Sequence, residues 1–90
     1  MANSGGQKLT TLSQVPPGAT VGGKWNNAVA EVYTLQVWPV VAPGVNASAE
    51  VTKISYVVHG NPSERELHFW VKNTGATQVD IAVWAFWWNE

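Results

Sequence analysis

The side chains able to attack a substrate or move a proton are few and scattered. His59 and His68 are the only histidines. Strand alternation would set His68 near Ser55 and Asp80, the makings of a Ser-His-Asp relay. A relay of that kind needs a nucleophile elbow and an oxyanion loop, and neither motif accompanies these residues. Glu66 and Asp80 supply the residue types of a glycosidase pair, which sit roughly 5–10 Å apart across a cleft. A chain of 90 residues has little material to wall such a cleft. His59 and Glu66 are expected to face one another across the Asn61-Pro62 turn, which a weak cross-strand pair explains as well as a metal would. There is no cysteine and no metal-ligand spacing. The expectation is a protein that is not an enzyme, with no catalytic residues, no metal and no cofactor.

The aromatic residues carry a stronger signal. Gln78 to Trp88 reads Q-V-D-I-A-V-W-A-F-W-W. Read as a strand, one face holds Val79, Ile81, Val83, Ala85 and Trp87, an ordinary core row. The other holds Asp80, Ala82, Trp84, Phe86 and Trp88. Three large rings in a row on a second face are worth up to about 15 kcal/mol if buried, from roughly 600 Å² of apolar surface. A flat ring offers the axial C–H face of a pyranose an apolar platform, while polar neighbours hold its hydroxyls. Trp70, Trp84 and Trp88 are the expected stacking residues, with Asp80 and His68 as hydrogen-bonding partners. Phe86 belongs to the same set, and Trp38 joins it if its strand lies in the same sheet.

The elements that must position these rings are strands. Residues Met1 to Gly6 are small and polar and are expected to be loose. Gln7 to Val15 reads as a strand with an irregularity near Thr11, ended by Pro16-Pro17-Gly18. Ala19 to Val21 reads as a short edge strand, Gly22-Gly23 as a turn, and Lys24 to Asn27 as a polar loop. Ala28 to Trp38 alternates clearly, with Val29, Tyr33, Leu35 and Val37 on one side and Val32, Thr34, Gln36 and Trp38 on the other. Glu50 to His59 is the next strand, with Ile54, Tyr56 and Val58 opposed to Val51, Lys53, Ser55 and Val57. Arg65 to Lys72 puts Leu67, Phe69 and Val71 inward and Glu66, His68, Trp70 and Lys72 outward. Asn73 to Thr77 reads as a hairpin turn with Gly75 at positive φ. The last three strands then form a meander, Val71 facing Val79 and Trp70 facing Asp80, which gathers Trp70, His68, Trp84 and Trp88 on one face. No helix has a start signal or a 3.6-residue period. The expected fold is all-β, a compact antiparallel β-sandwich or small barrel of five to seven strands, in a single domain.

Composition limits the partners. Hydrophobic residues make up 46% of the chain and charged residues 12%, so the composition is not that of a disordered chain. Six tryptophans are far above ordinary usage. The five cations, Lys8, Lys24, Lys53, Arg65 and Lys72, form no basic stripe, so nucleic acid is not an expected partner. No apolar run is long enough for a spanning helix, and the N-terminal residues lack the apolar core of a cleaved signal. The expected location is cytoplasmic, or outside by a route without a cleaved signal, and membrane contact is not favoured. Two readings of function remain. One is a lectin-like homo-oligomer that stacks a carbohydrate or glycoconjugate on the Trp-rich face. The other is a self-assembling β protein whose Trp-rich face is the subunit interface.

Overall fold

The computed structural model describes residues 3–26, 32–60 and 65–89. They form six strands: β1 (Asn3–Val15), β2 (Thr20–Asn26), β3 (Val32–Val40), β4 (Ala49–Val58), β5 (Arg65–Asn73) and β6 (Val79–Asn89). Two antiparallel sheets of three strands pack face to face, in the orders β1-β6-β3 and β2-β5-β4. The all-β sandwich expected from alternation and turn residues is the fold observed, and no helix occurs among the described residues.

The two central strands, β6 and β5, each take neighbours on both sides. In β6 the inward row Val79, Ile81, Val83 and Ala85 is buried; in β5 the row is Leu67, Phe69 and Val71. These two rows face each other and make the core with Val15, flanked by Leu9, Leu12, Val21, Leu35 and Val37 from the edge strands. At one end Trp25, Tyr33 and Trp87 continue the interior. Trp25 meets Tyr33 edge-to-face, with ring centres 5.3 Å apart. Leu9, Leu12, Val15, Val21 and Trp25 therefore lie between the sheets and do not cover the outer aromatic face.

The expected meander does not form. β4 and β5 pair as a hairpin, with Ser55 opposite His68 and Tyr56 opposite Leu67. β6, however, leaves β5 and crosses to the other sheet, where β1 and β3 flank it. The Val71–Val79 register is thus absent, and Val71 pairs with Val21 and Val51 instead. Asn73 fixes the crossover. Its side chain is fully buried and its Nδ2 donates to the Val15 carbonyl at 2.9 Å and to the Thr77 carbonyl at 2.8 Å. Its Oδ1 accepts from the Gly75 N–H at 2.9 Å. The Asn73 backbone bonds the β1–β2 turn as well, accepting from Gly18 N–H and donating to the Ala19 carbonyl. Gly75 does not take positive φ; Gly18, Gly44 and Gly60 do.

Three further expectations are corrected. Residues 3–6 are not loose: they pair with the end of β6, Gly5 opposite Trp87 and Gly6 opposite Phe86. Gly22-Gly23 is not a turn and Lys24 to Asn26 is not a loop, since all lie in β2 opposite Trp70, Phe69, His68, Leu67 and Glu66. The two glycine pairs play the same part. A Cβ on Gly6 would stand 2.6 Å from the Phe86 ring, and one on Gly23 would stand 2.3 Å from the Phe69 ring. Bare backbone lets the neighbouring ring lie down across the strand, the edge-glycine covering known from sheet design. The third correction is in β4, where a register shift between Val51 and Lys53 changes the pleat, so Val51 shares the inner side with Ile54 and Tyr56. In β3 the expected faces are observed over Val32–Trp38, while Ala28 to Glu31 and the Asn61 to Ser63 turn lie outside the described residues.

Candidate functional site

Sheet order decides which aromatics meet. On the outer face of the first sheet, central β6 presents Trp84, Phe86 and Trp88, which are 40%, 38% and 43% exposed. β3 adds Trp38, 73% exposed, opposite Ala82. On the other flank β1 contributes little bulk: Ser4 faces Trp88, Gly6 faces Phe86 and Lys8 faces Trp84. Phe86 lies over the bare backbone of Gly6, and Trp84 is nearly parallel to it, at 14° with ring centres 6.5 Å apart. The result is an exposed aromatic patch in which Trp84 and Phe86 lie parallel along the strand. Small Ala82 leaves room beside Trp38, and a shallow groove of about 330 Å³ runs between Trp38, Gln36, Trp84 and Phe86. That volume is at the low end for small-ligand sites.

The five residues expected at the site do not come together. Trp84, Trp88 and Asp80 share the outer face of β6. Trp70 and His68 are on the outer face of β5, on the far side of the sandwich, because β5 and β6 belong to different sheets. Asp80 stands about 13 Å along β6 from Trp84, at the strand rise of about 3.3 Å per residue. Its Oδ1 accepts a 2.7 Å bond from the Gln14 N–H. Gln14 has φ 51°, in the second irregular stretch of β1. The Asp80 carboxylate thus holds a strained bend. The polar groups that do border the aromatic platform are Gln36, Thr34, Lys8 and Ser4, each directly opposite a ring of β6 or, for Thr34, opposite Phe86.

The opposite face is of a different character. Trp70 stacks beside His68, with ring centres 6.3 Å apart at 23°, and Lys53 Nζ lies 4.9 Å from the Trp70 ring centre. Glu66 gathers three cationic or ionisable groups: His68 Nε2 at 2.9 Å, His59 Nε2 at 3.2 Å and Lys24 Nζ at 3.7 Å. The His59–Glu66 pair across the turn is as expected. Hydrogen bonding from His68, then from His59, with the Lys24 charge nearby, holds the Glu66 carboxyl below its usual 4.5. Ser55 is opposite His68, yet Asp80 is in the other sheet, so no Ser-His-Asp relay can assemble. Glu66 and Asp80 are separated in the same way. No group of three His, Asp or Glu among the described residues has metal-binding geometry.

The sequence pattern indicated Trp38 only conditionally and missed Gln36 and Lys8. What it lacked was the pairing of β3 and β1 with β6. No family model, curated protein or solved structure matches the chain.

Proposed function

We propose that this chain is a non-catalytic binding protein that stacks a carbohydrate, free or as part of a glycoconjugate, on the outer face of the first sheet. The observation that carries the proposal is the partly exposed, parallel pair of Trp84 and Phe86 rings, walled by Trp38 and continued by Trp88. A pyranose laid on such rings loses apolar C–H surface from water. Its edge hydroxyls then point toward Gln36, Thr34 and Lys8, which are exposed on the same face. This set supports face stacking with few directional bonds, which fits weak, broad recognition of a sugar class rather than tight binding of one sugar. The Trp70 and His68 pair, on the other side of the sandwich, is not part of this site.

A second reading has its own support: Val32 and Val40, 39% and 53% exposed, extend the apolar surface on the outer side of β3. A face of this extent also suits burial against another subunit. The two readings separate on one variant. If the face binds sugar, Trp84→Ala abolishes a calorimetric or fluorescence titration with the bound oligosaccharide and leaves the molecular mass unchanged. If the face is a subunit interface, the same variant lowers the mass and no sugar titrates.

A further inference from the structure

The edges of the sandwich are unequal. On one side run β1 and β2, and both are protected against strand addition. β1 has two register breaks and Lys8, and Pro16 and Pro17 follow it; β2 has Gly22, Gly23 and Lys24. Breaks, prolines and lysines are the usual devices that keep an edge from pairing. On the other side run β3 and β4, with their outer edges without a strand partner among the described residues. β3 has Pro39 near its end and β4 a register break and Lys53 near its start, but between these lie two uncharged runs, Val32 to Trp38 and Ile54-Ser55-Tyr56-Val57-Val58. These are β-branched and aromatic runs, the composition that pairs most readily.

The side chains between the sheets along this edge are also incompletely covered. Ile54, Tyr56 and Val58 stand opposite buried positions or Arg65 on β5 and point into the sandwich, yet they are 36%, 55% and 56% exposed. Tyr56 leans on Tyr33 of β3, with its hydroxyl donating to the Tyr33 carbonyl at 3.3 Å, and that contact alone does not close the mouth.

We propose that this edge is a homodimer interface, in which β4 pairs antiparallel with β4 of a second copy and the two sandwiches join side by side. The occupant fits on three counts. The run is self-complementary, since uncharged β-branched residues meet their own kind across a two-fold axis. The chain's net charge of −1 gives two copies little repulsion. The contact has the area of a weak interface: the exposed parts of Ile54, Tyr56 and Val58, with the paired backbone, bury somewhat under about 1,000 Å² per pair. Antiparallel edge pairing has its two-fold axis normal to the sheet, so both aromatic platforms look the same way. A long polymer could then engage both at once. The dimer itself does not depend on the ligand reading.

The test is the mass in solution by sedimentation equilibrium at protein concentrations up to on the order of 100 µM, with three variants alongside. Wild type should associate to twice its 9.8 kDa. Val58→Lys and Ile54→Lys should weaken the dimer at least about tenfold while keeping the far-ultraviolet circular dichroism of a β protein. Trp84→Ala should leave the dimer intact. A second measurement covers the case in which a lysine variant does not fold. The chain has no cysteine, so Tyr56→Cys and Val57→Cys each introduce one thiol near the two-fold axis. Opposed Cα atoms in an antiparallel pair are about 4.5–5.5 Å apart, within disulfide reach. Mild oxidation should cross-link at least one of these two variants and not Thr10→Cys on β1. A wild type that stays monomeric at the highest concentration overturns the proposal. So does a dimer lost in Trp84→Ala and kept in the β4 variants, or failure of both thiols to cross-link. Sugar titration is a separate readout, so failure of the dimer and failure of carbohydrate binding are distinguishable.

Discussion

Replacing Asn73 with alanine should release the crossover between the two sheets. The side chain makes three hydrogen bonds, at 2.9, 2.8 and 2.9 Å, to backbone groups of Val15, Thr77 and Gly75. Each contributes about 0.5–1.5 kcal/mol net, and a buried partner left unpaired adds about 1–3 kcal/mol. The bond to the Val15 carbonyl is the buried one. The total is about 3–5 kcal/mol, against roughly 5–13 kcal/mol for a whole domain of this size. In thermal unfolding that is a fall of roughly 15–25 °C. Urea unfolding would show the midpoint drop with an unchanged slope, since the surface exposed on unfolding stays the same. Asn73→Asp adds a sign test. A carboxylate keeps the acceptor for Gly75 but has no donor for the two carbonyls, and its charge would be buried beside them. The variant should be at least as unstable as alanine near neutral pH. It should recover partly as pH falls, because burial raises the pKa of the new carboxyl and the protonated acid regains one donor. Thr74→Val, which removes an exposed 2.7 Å bond to Ser48 Oγ, is the control and should cost less than about 1 kcal/mol. A loss under about 1 kcal/mol for Asn73→Ala would refute the view that this side chain pins the two sheets.

Further outcomes follow from the same contacts. Gly23→Ala must push the buried Phe69 ring, which would lie 2.3 Å from the new Cβ. It should lower stability by about 1–3 kcal/mol in urea unfolding. Gly6→Ala meets the Phe86 ring at 2.6 Å, but that ring is on the outer face and can tilt. Stability should therefore change less than for Gly23→Ala, while sugar titration weakens because Phe86 is displaced from its place beside Trp84. Glu66 has a carboxyl pKa below its usual 4.5. Its contribution to stability is complete above that usual value and disappears as pH falls through the lowered one. Glu66→Gln should therefore be less stable than wild type near neutrality, and the difference should vanish in acid, read as paired unfolding curves across pH.

The faces of individual strands were legible in the sequence because alternation fixes them locally. The inward row of β6, from Val79 to Ala85, and the split of β3 into Tyr33, Leu35 and Val37 against Trp38 are as expected. Strand neighbours were not legible. Arg65–Lys72 and Gln78–Trp88 have matching alternation and a Gly-containing connection, so a hairpin between them satisfies every local rule. They separate because each is taken as the centre of a different sheet, β5 between β2 and β4 and β6 between β1 and β3. Pairing them would also leave Asn73 without the Val15 carbonyl it reaches across the β1–β2 turn. That non-local bond is what local turn chemistry hides. The same limit undid the site. Placing Trp70 and His68 beside Trp84 required the hairpin, so the crossover sends them to the other face. The glycine pairs misled for a related reason. Gly5-Gly6 and Gly22-Gly23 look like a loose end and a turn until the rings lying across them are known. In β4 one extra residue near Thr52 reverses the pleat, which an alternating pattern cannot reveal.

The proposed function turns on whether the tryptophans of the first sheet's outer face are covered by sugar. The direct measurement is acrylamide quenching of tryptophan fluorescence during titration with mono- and oligosaccharides, for wild type, Trp84→Ala and Trp70→Ala. Carbohydrate stacking predicts that one sugar class protects the exposed tryptophans of wild type and of Trp70→Ala. It predicts no protection in Trp84→Ala. Quenching that no sugar alters in wild type, or protection that Trp70→Ala removes and Trp84→Ala retains, would contradict it.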